Sequence, residues 1–243
     1  MTLEEVVGTR RCILGVFAHP DDEVSGTGGT MARYGEEGVE IHVVTFTRGE
    51  QGALGTGGQV VARSELAAVR ESELRSALVF LGTHPPEFLG YRDGELEQAD
   101  LSELAGKVLS HIERVRPDVV ITFGPRGITD HGDHKMVHRA TVEAFHRYRA
   151  DNEVDPRLMY FAIPKEMMEH FDLELDGPEV EPTILIDISG YLGVKIKALR
   201  MHNSQEDVQE LADMVQDGRY GIEGFHQAYP PVTGGVVSTG FWD

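Results

Sequence analysis

The chain has 243 residues, and its 41 acidic against 22 basic side chains give a formal net charge of −19. That charge repels nucleic acid and anionic membrane surfaces, so neither is an expected partner. A lone cysteine, Cys12, excludes an internal disulfide and a cysteine-based zinc site, so any metal must be held by His, Asp or Glu.

Short apolar runs alternate with longer helical patterns along the chain. The start, Met1-Thr2-Leu3-Glu4-Glu5, is acidic where a secretory signal would be basic. No apolar run approaches the roughly 20 residues of a membrane span. The expected location is therefore the cytoplasm. A first strand is expected over 13–17, preceded by Cys12 as a small buried hydrophobe, and it runs into Ala18-His19-Pro20-Asp21-Asp22-Glu23. A helix over 24–37 follows. It contains Gly26-Thr27-Gly28-Gly29, a weak echo of a phosphate loop that lacks the Gly-x-Gly-x-x-Gly order. A strand over 41–45 leads to residues 49–58, five glycines in ten, expected as a mobile loop that serves as a lid or as a plain connector. Then come a helix over 63–81, a strand over 87–89 and a helix over 101–115. Arg116-Pro117-Asp118 separates that helix from a strand over 119–123, as proline should. The run Asp130-His131-Gly132-Asp133-His134 precedes a helix over 134–149. Strands over 158–163 and 184–188 and helices over 192–201 and 206–215 complete the pattern. From Gly218 onward the chain is expected to be irregular, packed on a single domain spanning 1–243. The βαβα order predicts an α/β fold, a Rossmann-like three-layer αβα sandwich with a mostly parallel sheet.

Apolar strands rarely end in three consecutive acids for packing reasons alone. The carboxyl edge of an open α/β sheet is where ligands bind, and both His/Asp clusters follow strands, so they are expected to converge there. A hydrolytic zinc site needs three protein ligands and one open position. His19 and Asp22, three apart across a turn, can close on one ion. His134 is the expected third ligand, with His138 on the same helix face as its rival. Such a set suits Zn²⁺, and Fe²⁺ or Co²⁺ would also fit. Asp21, beside a ligand but not ligating, is placed to take a proton from a water on the metal and return it to a leaving amine. His131 as an imidazolium would stabilise an oxyanion, with Asp133 holding its ring.

The Ala-His-Pro-Asp-Asp-Glu run at residues 18–23, paired with His131-Gly132-Asp133-His134, resembles the LmbE-like (PIG-L) family of zinc-dependent deacetylases. The resemblance extends over residues 12–205. It includes Thr47-Arg48-Gly49-Glu50, Arg70-Glu71-Ser72-Glu73-Leu74, Leu89-Gly90-Tyr91-Arg92-Asp93-Gly94 and the late His202-Asn203-Ser204-Gln205. Gly132 departs from the proline that many members carry. The family removes acetyl from N-acetylglucosaminyl groups of phosphatidylinositol and of mycothiol and bacillithiol precursors. The resemblance implies His19, Asp22 and His134 as ligands, Asp21 as acid/base, His131 as electrophile backed by Asp133, and Arg70 and Asp93 as grips on substrate hydroxyls. It implies a small N-acetylated sugar as substrate. Two alternatives stand beside it: an amidase acting on a thiol conjugate, and a sugar- or nucleotide-binding module without catalysis. The helix faces leave a homo-oligomer open.

Overall fold

The computed structural model describes residues 10–58, 60–152, 155–218, 220–232, 234–236 and 238–242, so the acidic start Met1–Glu5 lies outside the described residues. The central strand β1 (Cys12–Phe17) is buried at every position. Its apolar run lacks polar alternation because both faces of the strand are covered. Strands β2 (Glu40–Thr45) and β4 (Val119–Thr122) pair with it in parallel on either side. Beyond them lie β3 (Glu87–Phe88), parallel to β2, and β5 (Arg157–Ala162), parallel to β4. The sheet is completed by β7 (Ile222–Tyr229), antiparallel both to β5 and to the edge strand β6 (Ile184–Asp187). The order is β3-β2-β1-β4-β5-β7-β6, a seven-stranded, mostly parallel sheet in the expected α/β class.

The helices are α1 (Asp22–Glu36), α2 (Arg63–Phe80), α3 (Leu101–Val115), a four-residue α4 (Gly127–Asp130), α5 (Gly132–Asp151), α6 (Lys165–His170), α7 (Leu192–Met201) and α8 (Glu206–Gln216). Helix α3 packs on α5, while α7 packs against α1, α2 and α8, which makes two helical layers. Asp100 caps α3 by accepting from the Glu103 N–H, and the helix stops at Arg116 in the left-handed region, just before Pro117. Among the described residues no helix is long and apolar enough to cross a membrane.

Two elements differ from the expected pattern, β7 and α6. The segment from Gly218, expected to be irregular, contains the eight-residue β7. Its Glu223 is buried and pairs with the buried Lys195 of α7 at 2.6 Å, so a core-facing position carries a charge and hides the alternation that marks a strand. Gly26-Thr27-Gly28-Gly29 lies inside α1, as the expected helix over 24–37 placed it. A Cβ on Gly29 would stand 2.4 Å from Ile188 Cδ1, and the N–H groups of Gly29 and Thr30 donate to Glu223 at 2.9 and 2.7 Å. The small residues serve close packing on the sheet edge, not phosphate binding. The short helix α6 has no counterpart in the apolar periodicity, since none of its residues is buried. Cys12 is buried as expected, and burial, aided by Asp118, pushes its thiol up to about 11.

Candidate active site

Both His/Asp clusters lie at the carboxyl ends of adjacent parallel strands. The first follows β1, and the second follows β4 through α4. There they border a cavity of about 830 Å³ lined by His19, Asp21, Asp22, His131 and His134 among others.

Three side chains meet in a triangle. His19 Nδ1 is 3.1 Å from His134 Nε2, His134 Nε2 is 3.4 Å from Asp22 Oδ1, and His19 Nδ1 is 3.7 Å from Asp22 Oδ2. Ligand atoms about 2.0–2.1 Å from a tetrahedral zinc stand about 3.3 Å apart, so the triangle has the right size for such an ion. The ring tautomers agree. His19 Nε2 lies 2.9 Å from Asp93 Oδ1 and 3.2 Å from Asp133 Oδ2, and carboxylates only accept, so this nitrogen carries the hydrogen. His134 Nδ1 donates to the Gly127 carbonyl at 2.9 Å. In neutral rings the two remaining lone pairs therefore face each other beside a carboxylate. That arrangement calls for a positive charge between them, and a divalent cation fits it.

The electrostatics carry the same imprint. Burial opposes a charged His19, but its bonds to Asp133 and Asp93 outweigh burial and raise it to about 10. Burial and the neighbouring His19 push His134 down to about 4 against the pull of Asp22. Asp93 is held at about 2 against burial by its contact with His19. The carboxylate of Asp22 also accepts from the His19 N–H at 2.7 Å and the Ala18 N–H at 3.2 Å, so it fixes the turn as well as facing the triangle.

Asp21 sits at φ 105°, where a non-glycine residue is strained. It occupies the N-cap of α1, yet its side chain caps nothing. Instead Arg70 Nη2 donates to Asp21 Oδ2 at 2.7 Å and to the Pro20 carbonyl at 2.6 Å, while the Asp21 N–H donates to Glu23 Oε2 at 3.0 Å. Burial raises the Asp21 carboxyl to about 7, Arg70 working against the shift and Asp22 with it. Below this turn, His202 Nε2 stands 3.2 Å from Glu23 Oε1, both side chains fully buried.

Several expected roles meet a different geometry. The Asp133 carboxylate does not hold His131. It accepts from the N–H groups of Gly94 at 2.7 Å and Leu96 at 3.0 Å and faces His19. It is the Asp133 N–H that donates to His131 Nδ1 at 3.1 Å, because His131 is the N-cap of α5. That bond makes Nδ1 an acceptor and places the ring hydrogen on Nε2. Arg70 and Asp93, expected to grip substrate hydroxyls, are bound within the protein: Arg70 to Asp21, Pro20 and Gly49, Asp93 to His19 and the Gln51 N–H. His138 lies away from the triangle and donates from Nδ1 to the Phe123 carbonyl at 2.9 Å.

The glycine-rich loop is hydrogen-bonded from Gln51 to Thr56. Gln205 receives the Ala53 N–H and donates to the Ala53 carbonyl, and the Gly55 N–H donates to the Ser204 carbonyl. A Cβ on Gly49 would lie 2.2 Å from Arg70 Nη1, so this glycine lets the guanidinium reach the Asp21 turn. Glu73 holds the other side of the late motif, accepting from the Ser204 N–H and hydroxyl.

Sequence reasoning missed the apolar side of the cavity, formed by Phe161, Met167, Phe171 and Leu211 among others. No local motif marks these residues. It also missed Glu179, which accepts from the Arg126 N–H at 2.5 Å and steadies the loop whose Gly127 carbonyl orients His134.

A family model described as PIG-L, GlcNAc-PI de-N-acetylase, matches residues 14–145. A 1D-myo-inositol 2-acetamido-2-deoxy-alpha-D-glucopyranoside deacetylase from Mycobacterium sp. (strain JLS) is 33% identical, over 81% of this chain and 74% of its own. The N,N'-diacetylchitobiose deacetylase of Pyrococcus horikoshii superposes with a TM-score of 0.71 at 23% identity, covering 90% of this chain and 84% of its own. The 4-carboxy-2-hydroxymuconate hydratase GalB of Pseudomonas putida KT2440 superposes equally well, TM-score 0.71 at 22% identity, covering 93% of this chain and 100% of its own. These two structures share the fold while carrying different reaction names, so the fold by itself does not choose the reaction.

Proposed function

The chain belongs to the PIG-L family, and from that premise we propose that it is a metal-dependent hydrolase that removes the acetyl group from an N-acetylglucosamine-type sugar. The observation that carries this reading is the triangle of His19, Asp22 and His134, which lines one cavity with the half-buried Asp21. Zinc is the ion we assign, on two imidazole nitrogens and one carboxylate oxygen, a set that Fe²⁺ and Co²⁺ share. When bound, the ion supplies Lewis acidity, polarising a carbonyl and making water acidic near neutral pH.

The remaining work falls to side chains. Asp21, raised to about 7 by burial, takes the proton of the attacking water and delivers it to the amine as the carbon–nitrogen bond breaks. The products are acetate and the free amino sugar. A general base is most effective with a pKa near the working pH. Arg70 fixes Asp21 Oδ2, which leaves the other oxygen to carry the proton. His131, with its hydrogen on Nε2, donates to the acetyl oxygen as negative charge gathers there. One such donor is worth about 10²–10³ in rate. Asp133 and Asp93 orient His19 and raise its basicity as a ligand. In this role Arg70 and Asp93 position the machinery rather than touch sugar hydroxyls.

The test is acetate release from N-acetylglucosamine derivatives by zinc-loaded protein, before and after chelator. Release that stops with chelator and returns with zinc is expected. Release indifferent to chelator would overturn the metal-dependent reading, and tight sugar binding without any release would favour a binding module.

A further inference from the structure

The cavity has two chemically different halves. Near the triangle its wall is polar. The Phe123 ring stacks on His134, centroids 4.1 Å apart at 14°, and Phe161 follows at 5.1 Å. Beyond them the wall is apolar: Ile163 after β5, Met167 on α6, Phe171 and Leu173 just past it, and Leu211 on α8. Met167, Phe171 and Leu173 are only partly buried; Met167 and Leu173 rest against the core, and all three keep apolar surface on the cavity. At about 830 Å³, the space lies toward the roomy end of the ~300–1,000 Å³ range of ligand pockets, more than one sugar ring requires.

Charge narrows the occupant. Among the described residues lining the cavity the one guanidinium is Arg70, bound to Asp21 and to two backbone carbonyls, and there is no lysine. The α8 side of the rim carries Glu206, Asp207 and Glu210. A phosphate there would meet carboxylates and find no unpaired cation, a desolvation cost without compensation. An uncharged apolar group would remove both its own surface and that of the wall from water.

Resting on the deacetylase reading, we propose that the group attached to the amino sugar is uncharged and apolar, an aryl or alkyl aglycone seated on the wall formed by α6, the turn after it and α8. Sugars bearing a phosphate at that position are disfavoured. This sets the chain apart from a phosphatidylinositol substrate, despite the family description.

The experiment compares kcat/KM for acetate release by zinc-loaded protein from para-nitrophenyl N-acetylglucosaminide, free N-acetylglucosamine and N-acetylglucosamine 1-phosphate. The aryl glycoside should exceed the free sugar by about tenfold or more, and the phosphate should fall below it. In Met167→Asp and, independently, Phe171→Asp, the aryl-to-free ratio should fall toward one. Equal values for all three sugars, or a phosphate preference, would overturn the aglycone assignment and leave the deacetylase standing. If no sugar releases acetate, the deacetylase reading falls, and calorimetry of para-nitrophenyl glucosaminide against glucosamine decides the rest. Tighter binding of the aryl sugar supports the apolar seat, and equal binding overturns it.

Discussion

At the centre of the sheet, β1 and β4 run parallel, apolar and buried at every position. At its far side, β7 runs antiparallel between β5 and β6 and buries Glu223 against Lys195. The two regions solve different problems. The central pair delivers His19, Asp21 and Asp22 from one strand end and, through α4, His131 and His134 from the next, so the chemistry rests on the ends of two buried core strands. The far side supplies no member of the triangle. It ties α1 and α7 to the sheet through one carboxylate that accepts the Gly29 and Thr30 N–H groups and the Lys195 ammonium. Function therefore depends on the centre directly and on the far side only through the placement of α1, whose first turn carries Asp22.

Substitutions in the two regions should separate along that line. The largest effect belongs to the centre. His134→Ala removes one corner of the triangle, and both bound metal and acetate release should be lost, read by metal analysis and activity on the same sample. At the far side, Lys195→Met leaves Glu223 buried without its cation. The expected cost is about 3–5 kcal/mol in urea unfolding, with metal still bound in the folded fraction. Retention of full stability would break the comparison. Gly29→Ala forces a methyl toward Ile188 and should cost about 1–3 kcal/mol by overpacking. The smallest effect lies between the regions, at His202. Burial opposes its charge, but Glu23 overcomes burial and lifts it above the ordinary 6.5. A pKa raised by folding contributes stability that is complete below the unfolded value and lost as pH rises through the folded one. The wild-type melting temperature should thus decline from neutral to alkaline pH more steeply than that of His202→Gln. Parallel declines would remove His202 from the account.

The same contrast governs what could be read from the amino-acid order. Strands β1 and β4 and the helices between them are legible because strands covered on both faces read as near-continuous apolar runs and the helices on them are amphipathic; β2 is legible through Ile41, Val43 and Val44 despite the half-buried His42. His19 and Asp22 are legible because they follow the β1 run directly, and His134 because it closes a second His/Asp cluster that follows β4 after one short helix. Strand β7 is not, since a charged residue occupies a buried position and its partner Lys195 is 28 residues away. The partners of Arg70, Asp93 and Asp133 are not legible either. Each is a long polar contact across the fold, such as the 39 residues between Asp133 and Gly94, and nothing local announces it. The glycines at 49–58 read as freedom of motion, whereas Gly49 makes room for the Arg70 guanidinium. The apolar wall was hidden for a further reason: isolated aromatic and aliphatic residues on three elements look like ordinary core until the fold lines them up along one cavity.

The central claim is a division of labour, with His19, Asp22 and His134 holding the ion and Asp21 moving the proton. Asp21→Asn tests it most directly, because asparagine tolerates the left-handed backbone at this position while losing the ability to carry a proton. Metal per chain and acetate release are measured on one preparation. The account predicts metal at the wild-type level with turnover reduced by about 10²–10⁴. Loss of the metal together with activity, or activity that persists, would contradict it.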